Sequence, residues 1–171
     1  MQMNAASSLL YTNEVSPEFL RTLDKSHFTE QQLAGFSEQA LAVVNDRQAY
    51  AKAHPVIAVY RVATDGSQTR NGGVIQHATA PFEFTLEDGQ QVRAAQKGDY
   101  VVYANGSTAH IVTASGHGNS HLALVGSVLS NGDEIINTPQ AGFLFFDREG
   151  VQRAEDFLPP IAYQAIGSKK Q

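Results

Sequence analysis

The chain has 171 residues, no cysteine, and a formal net charge of −5 from 12 basic and 17 acidic side chains. That length suits one domain with extensions. The acidic balance, spread without a block, excludes the basic patch that nucleic acid requires and any attraction to an anionic membrane surface, and the missing cysteines exclude disulfides and thiolate metal centres.

The first residues, Met1-Gln2-Met3-Asn4-Ala5, put no basic residue ahead of an apolar stretch. No secretory signal peptide is therefore expected, and synthesis in the cytoplasm is. Residues 1–55 read as a helical extension. Ser16-Pro17-Glu18 is a start signal: a capping hydroxyl, a proline at the first helical position and an acid near the positive end of the dipole. Thr29-Glu30-Gln31-Gln32 has the form of a capping box, with Phe28 and Leu33 at the staple positions. Leu33, Phe36, Ala40, Val43 and Val44 then recur at helical spacing, which predicts one helix with an apolar face running to His54-Pro55.

Residues 56–140 change character. β-Branched residues dominate, and Asp65-Gly66, Asn71-Gly72, Asp88-Gly89, Asn105-Gly106 and Asn131-Gly132 supply the positive-φ positions that tight turns need. Strands are expected at 56–63, 73–79, 82–86, 90–96, 100–103, 108–114, 121–128 and 134–137, a spacing typical of an all-β body. Within this region a pattern recurs three times: Ala63-Thr64-Asp65-Gly66-Ser67, Ala95-Gln96-Lys97-Gly98-Asp99 and Ala123-Leu124-Val125-Gly126-Ser127. A second glycine follows each copy, at Gly72, Gly106 and Gly132, and leads into Val74-Ile75, Ile111-Val112 and Ile135-Ile136. A unit recurring about every 30 residues is a supersecondary building block, and three of them in one chain predict a pseudo-three-fold body. Residues 141–171 are expected to form a hairpin turning at 147–150 and then a polar tail. The densest apolar run, Phe143 to Phe146, is too short to cross a bilayer.

The repeat resembles the PAAR-repeat family, whose element Pro-Ala-Ala-Arg-x-Gly-Asp precedes a turn and a His-Gly-Gly-x-Ile-type strand. Arg93-Ala94-Ala95-Gln96-Lys97-Gly98-Asp99 is similar to the first part and Asn71-Gly72-Gly73-Val74-Ile75 to the second. The likeness covers residues 60–138, about half the chain. It implies a mainly β fold, a β-hairpin cone at 56–140, behind the helical segment. The cone would cap the trimeric β-helical spike of a type VI secretion system or contractile phage tail, one chain per trimer, and sharpen it for membrane puncture. It would leave the cell as part of that machine. The structural repeat residues would be Gly66, Gly72, Gly73, Gly98, Asp99, Gly106, Gly126 and Gly132, with Gly98→Val expected to misfold the cone. The N-terminal helices would dock an effector or a chaperone. Related cones close their tips with zinc held by three His and one Cys. Here the matching neighbourhoods offer Asn71, then Ser107, Thr108 and His110, then Asp133, so the zinc does not carry over and His110 is the best single ligand candidate.

Two other classes compete with this structural reading. His77, His110, His117 and His121 crowd the β region and suggest a metal-dependent hydrolase, and Ser115, Ser120, His117 and Asp133 a metal-free one; no Gly-x-Ser-x-Gly elbow accompanies them. A free-standing β-barrel binding module for a small ligand or carbohydrate is the remaining alternative. Asp65, Asp88, Asp99 and Asp133 lie in turns or beside glycine, where a carboxylate most simply binds backbone amides. The sequence thus predicts no catalytic residue and no enzyme.

Overall fold

Among the described residues, a hydroxyl cap starts each α-helix. Ser16 accepts from the Phe19 N–H ahead of α1 (Pro17–Thr22), Thr29 from the Gln32 N–H ahead of α2 (Glu30–Ala34), and Ser37 from the Ala40 N–H ahead of α3 (Glu38–Ala53). Gln32 returns a bond to the Thr29 amide, completing the capping box. The single helix expected over 29–53 is in fact two. Gly35 caps the end of α2, and the Ser37 hydroxyl offers the chain a new start two residues later. Phe28 packs edge-on against Phe36, ring centres 5.0 Å apart, where the sequence placed Leu33 as its partner. No residue of α3 is fully buried; Ala40, Leu41, Val44 and Ala51 form its half-buried stripe, while Val43 faces solvent.

The computed structural model describes residues 9–159. It is β-rich, with several small sheets and few helices. The strands are β1 (Val56–Arg61), β2 (Val74–Ile75), β3 (Glu83–Thr85), β4 (Gln91–Arg93), β5 (Tyr100–Val102), β6 (Thr108–His110) and β7 (Leu144–Arg148). β2, β5 and β6 make one antiparallel sheet, β3 and β4 a hairpin, and β1 pairs with β7. Two sequence expectations fail here. Residues 121–128 and 134–137 pair only through isolated bridges. Segment 141–158 does not fold on itself, because β7 takes the edge of β1 instead.

The chain divides into two compact units, both discontinuous in sequence, so they cut across the linear segments 1–55, 56–140 and 141–171. One holds residues 60–145 with the described flanks 9–13 and 153–159; the other holds 14–59 with 146–152. In the second unit, Arg148 grips both carboxylate oxygens of Asp24, at 2.6 and 3.0 Å, and donates to the His54 carbonyl. Its guanidinium also lies over the rings of Tyr50 and Phe146. Donating to Asp24 holds the Arg148 pKa above its ordinary value.

The first unit is organised by a closed ring of hydrogen bonds. Ala63 N–H donates to the Ala123 carbonyl, Ala123 N–H to Ala95, and Ala95 N–H to Ala63, at 2.8, 2.9 and 2.9 Å. Flanking bridges repeat the cycle: Val62 with Leu124, Thr64 with Ala94, and Gln96 with Leu122. A second cycle pairs Ile75 with Val101, Ile111 with Leu129, and Ile135 with Thr69. The matched hydrophobic residues are therefore Ile75, Ile111 and Ile135, not the three β-branched pairs taken in order. One core cluster gathers the three alanines, the three isoleucines, Val101 and Leu129, with Tyr103 against it. A second joins Val62, Ala94, Leu122 and Leu124 to Phe84, Phe143, Phe145 and Phe157.

The repeat residues serve one purpose three times. Gly66, Gly98 and Gly126 adopt φ of 89°, 96° and 106° and donate to the carbonyls of Ile75, Ile111 and Ile135. Ser67, Asp99 and Ser127 accept from the amides of Thr64, Gln96 and Leu124, three residues back. Gly73 is different: it turns no corner. A Cβ there would lie 3.0 Å from Thr69 Oγ1, Val101 Cγ2 and Tyr103 Cε1, whereas a Cβ on Gly98 would meet nothing within 4 Å. Both Gly98→Ala and Gly73→Ala should cost about 1–3 kcal/mol, the first from backbone strain at positive φ and the second from overpacking. A double-mutant cycle separates them. Val101→Ala should relieve part of the Gly73→Ala loss in urea unfolding and none of the Gly98→Ala loss; equal coupling to both would contradict the assignment.

Candidate functional site

The three second-glycine turns come together at one end of the repeat unit. Asn71 and Gly72 from the first turn, Tyr103, Ala104, Asn105 and Ser107 from the second, and Asn131 from the third line one cup of about 410 Å³. Gly72, Gly106 and Gly132 sit at the tips, donating their N–H to Thr69, Tyr103 and Leu129. The asparagine before each tip glycine therefore reaches this end once per repeat.

Asp133 ties the turns to one another. One of its oxygens accepts from the Tyr103 hydroxyl at 2.6 Å, and the other from the amides of Asn71 at 3.1 Å and Glu134 at 2.8 Å. The Asn131 side chain accepts from the Asp133 amide and donates to the Tyr103 hydroxyl. Burial alone would raise the Asp133 pKa, but hydrogen bonds from Thr69, Tyr103 and the amides of Glu134 and Asn71 outweigh it and hold the carboxyl below its ordinary range. Burial pushes the Tyr103 phenol up, and donating its proton to the Asp133 carboxylate pushes it further. The sequence reading missed Tyr103. The available signal was the longer spacing from Gly98 to Gly106, which reflects a hairpin extended by the β5–β6 ladder and carries Tyr103 to the turn.

The residues that the sequence resemblance put near a zinc site are not gathered around one point. His110 pairs with Tyr100 at the end of the β5–β6 hairpin away from its turn, its ring edge-on to Tyr100 at 6.1 Å, so it is not the turn-end ligand expected from sequence. Asp133 is already engaged by four donors. Among the described residues, no three His, Cys, Asp or Glu side chains form a group that could hold a metal. Of the four clustered histidines, the structure brings together His117 and His121, ring centres 5.7 Å apart. The imagined hydrolytic set is also dispersed in its bonding: Ser115 Oγ donates to the Asn119 carbonyl, the His117 amide donates to Asp156, and Asp133 serves Tyr103. The remaining aspartates bind amides, Asp65 those of Ala78 and Arg93, Asp88 that of Gln90, and Asp99 that of Thr79.

The helical unit has a cleft of about 520 Å³, lined by Lys25, Phe28, Arg47, Tyr50 and Arg148 among others. Among the described residues, no helix is long and apolar enough to cross a membrane. Comparison of the chain with protein families, with curated proteins and with solved structures finds no match to any of them.

The depressed pKa of Asp133 has a signed consequence. A carboxyl that is more acidic in the folded state contributes stability that is complete above its ordinary pKa and disappears as pH falls through the folded value. Asp133→Asn should therefore be less stable than the parent by about 1–3 kcal/mol near pH 6. The gap should narrow as the pH drops to about 2. Urea unfolding across that range checks it; a gap independent of pH would mean that the charge on Asp133 is not what holds the turns.

Proposed function

We propose that this protein is a tip component that caps a trimeric β-helical spike of a contractile injection apparatus. The observation that supports the reading is the closed ring of Ala63, Ala95 and Ala123. A trimeric β-helix ends in three equivalent strand edges, which attract stray strands if left open. A single chain that presents the same backbone arrangement three times about one axis can meet all three edges by strand addition. In this reading the unit is a small β cone. Its turn end is the point, held by the Asp133–Tyr103 network in place of a metal, and its opposite end is the base that meets the trimer. The protein acts by shape, with no catalysed step, and travels outward with the spike. The cleft of the helical unit is the surface for cargo or an assembly chaperone.

The test is stoichiometry. The full chain, mixed with trimeric spike proteins encoded near its own gene, should co-elute from size exclusion as one copy per three spike chains, read by light scattering. Failure of every such trimer to bind, or three copies per trimer, would overturn the proposal.

A further inference from the structure

We infer that the cup at the turn end binds a neutral saccharide. The cup is a shallow, open depression of about 410 Å³, suited to a ligand that lies across it and keeps much of its surface in water. Its chemistry is specific in what it omits. The side chains lining it are carboxamides, a hydroxyl, an aromatic ring and alanine, and none is charged. The charge that touches these residues, the Asp133 carboxylate, is spent on four donors within the protein, and Arg70 and Glu134 nearby in sequence are paired with each other at 3.0 Å. Such a surface has nothing to balance a phosphate, an acidic peptide or a cation. A carboxamide presents two donors and an acceptor that takes two bonds. It can therefore pair with a sugar hydroxyl whichever way the hydroxyl points.

The free capacity lies where a ligand would use it. The Asn71 carboxamide has no protein partner among the described residues. Asn105 spends its oxygen on the amide and hydroxyl of Ser107, which leaves its NH₂ available. Asn131, by contrast, is committed on both sides, to Asp133 and Tyr103, and so is a positioning residue. The Tyr103 ring supplies the apolar surface that the C–H face of a sugar needs. It is held from behind: its hydroxyl is fixed by Asp133 and Asn131, and its edge lies where a side chain on Gly73 would be. A ring immobilised before binding loses little entropy on binding. The inference stands on the cup alone and does not require the spike reading.

The experiment is a titration of the ¹⁵N-labelled full chain with three neutral probes, chito-, cello- and manno-oligosaccharides, and with inorganic phosphate as the charged control. At least one oligosaccharide should shift the side-chain NH₂ signals of Asn71 and Asn105 and the amide of Gly72, while phosphate leaves them in place. Asn71→Ala, which removes no bond within the protein, should keep the parent's thermal midpoint and weaken that binding about five- to tenfold, the worth of one or two hydrogen bonds. Asn131→Ala should weaken it too, and Asn45→Ala, on α3, should not. The inference is overturned if no probe shifts these signals at millimolar concentration, if phosphate shifts them as strongly, or if Asn71→Ala binds like the parent.

Discussion

Three backbone hydrogen bonds, closed head to tail among Ala63, Ala95 and Ala123, are the constraint on which the repeat unit depends. A ladder of two strands always leaves an outer edge; a cycle of three leaves none at that level. Closing the cycle brings three chain segments so near one axis that only small side chains fit, and all three alanines have no exposed surface. The same crowding explains the next layer. Once the alanines are fixed, the turn at each first glycine directs its strand back along the axis, and Ile75, Ile111 and Ile135 meet their neighbours in a second cycle. The hydrophobic core is a column of such layers more than a volume enclosed between sheets.

The column has different needs at its two ends. Toward the aromatic cluster, the half-buried Phe84, Phe143, Phe145 and Phe157 pack on Val62, Ala94, Leu122 and Leu124, so that end is finished by apolar contact and keeps an apolar surface of its own. At the turn end the arms are short, and too few apolar atoms remain to close it. A buried carboxylate with four donors does so instead. Such a group is stabilising only while every bond is made, which fixes the three turns relative to one another. The same network orients the tyrosine and asparagine of the cup. Structural closure and the proposed recognition surface are thus built from the same atoms.

The parts legible in the sequence are those set by local chemistry. The hydroxyl caps at Ser16 and Thr29, the glycine turns and the three-fold recurrence of Ala and Gly each follow from what one or two residues permit. Non-local pairing was not legible. Nothing in Leu144–Arg148 says that it will take β1 as partner over the residues that follow it. Gly35 and Ser37 were visible, but whether they interrupt a helix depends on packing beyond the helix. Gly73 looked like its turn-forming neighbour Gly72, though its role is to leave room for Tyr103 and Val101 from another repeat. The turn end shows the same limit: Asp133 was visible as a residue beside glycine, and its tyrosine partner was not, because the two lie 30 positions apart.

The central claim is that the alanine ring is one cooperative element, and native-state hydrogen exchange at three amides tests it most directly. In a closed ring, none of Ala63, Ala95 and Ala123 can open without releasing the others. Their amides should exchange only through global unfolding, with the same free energy for all three. If any one exchanged through a much smaller local opening, as an amide at a free edge does, the ring would be an open chain of contacts and the account would be wrong.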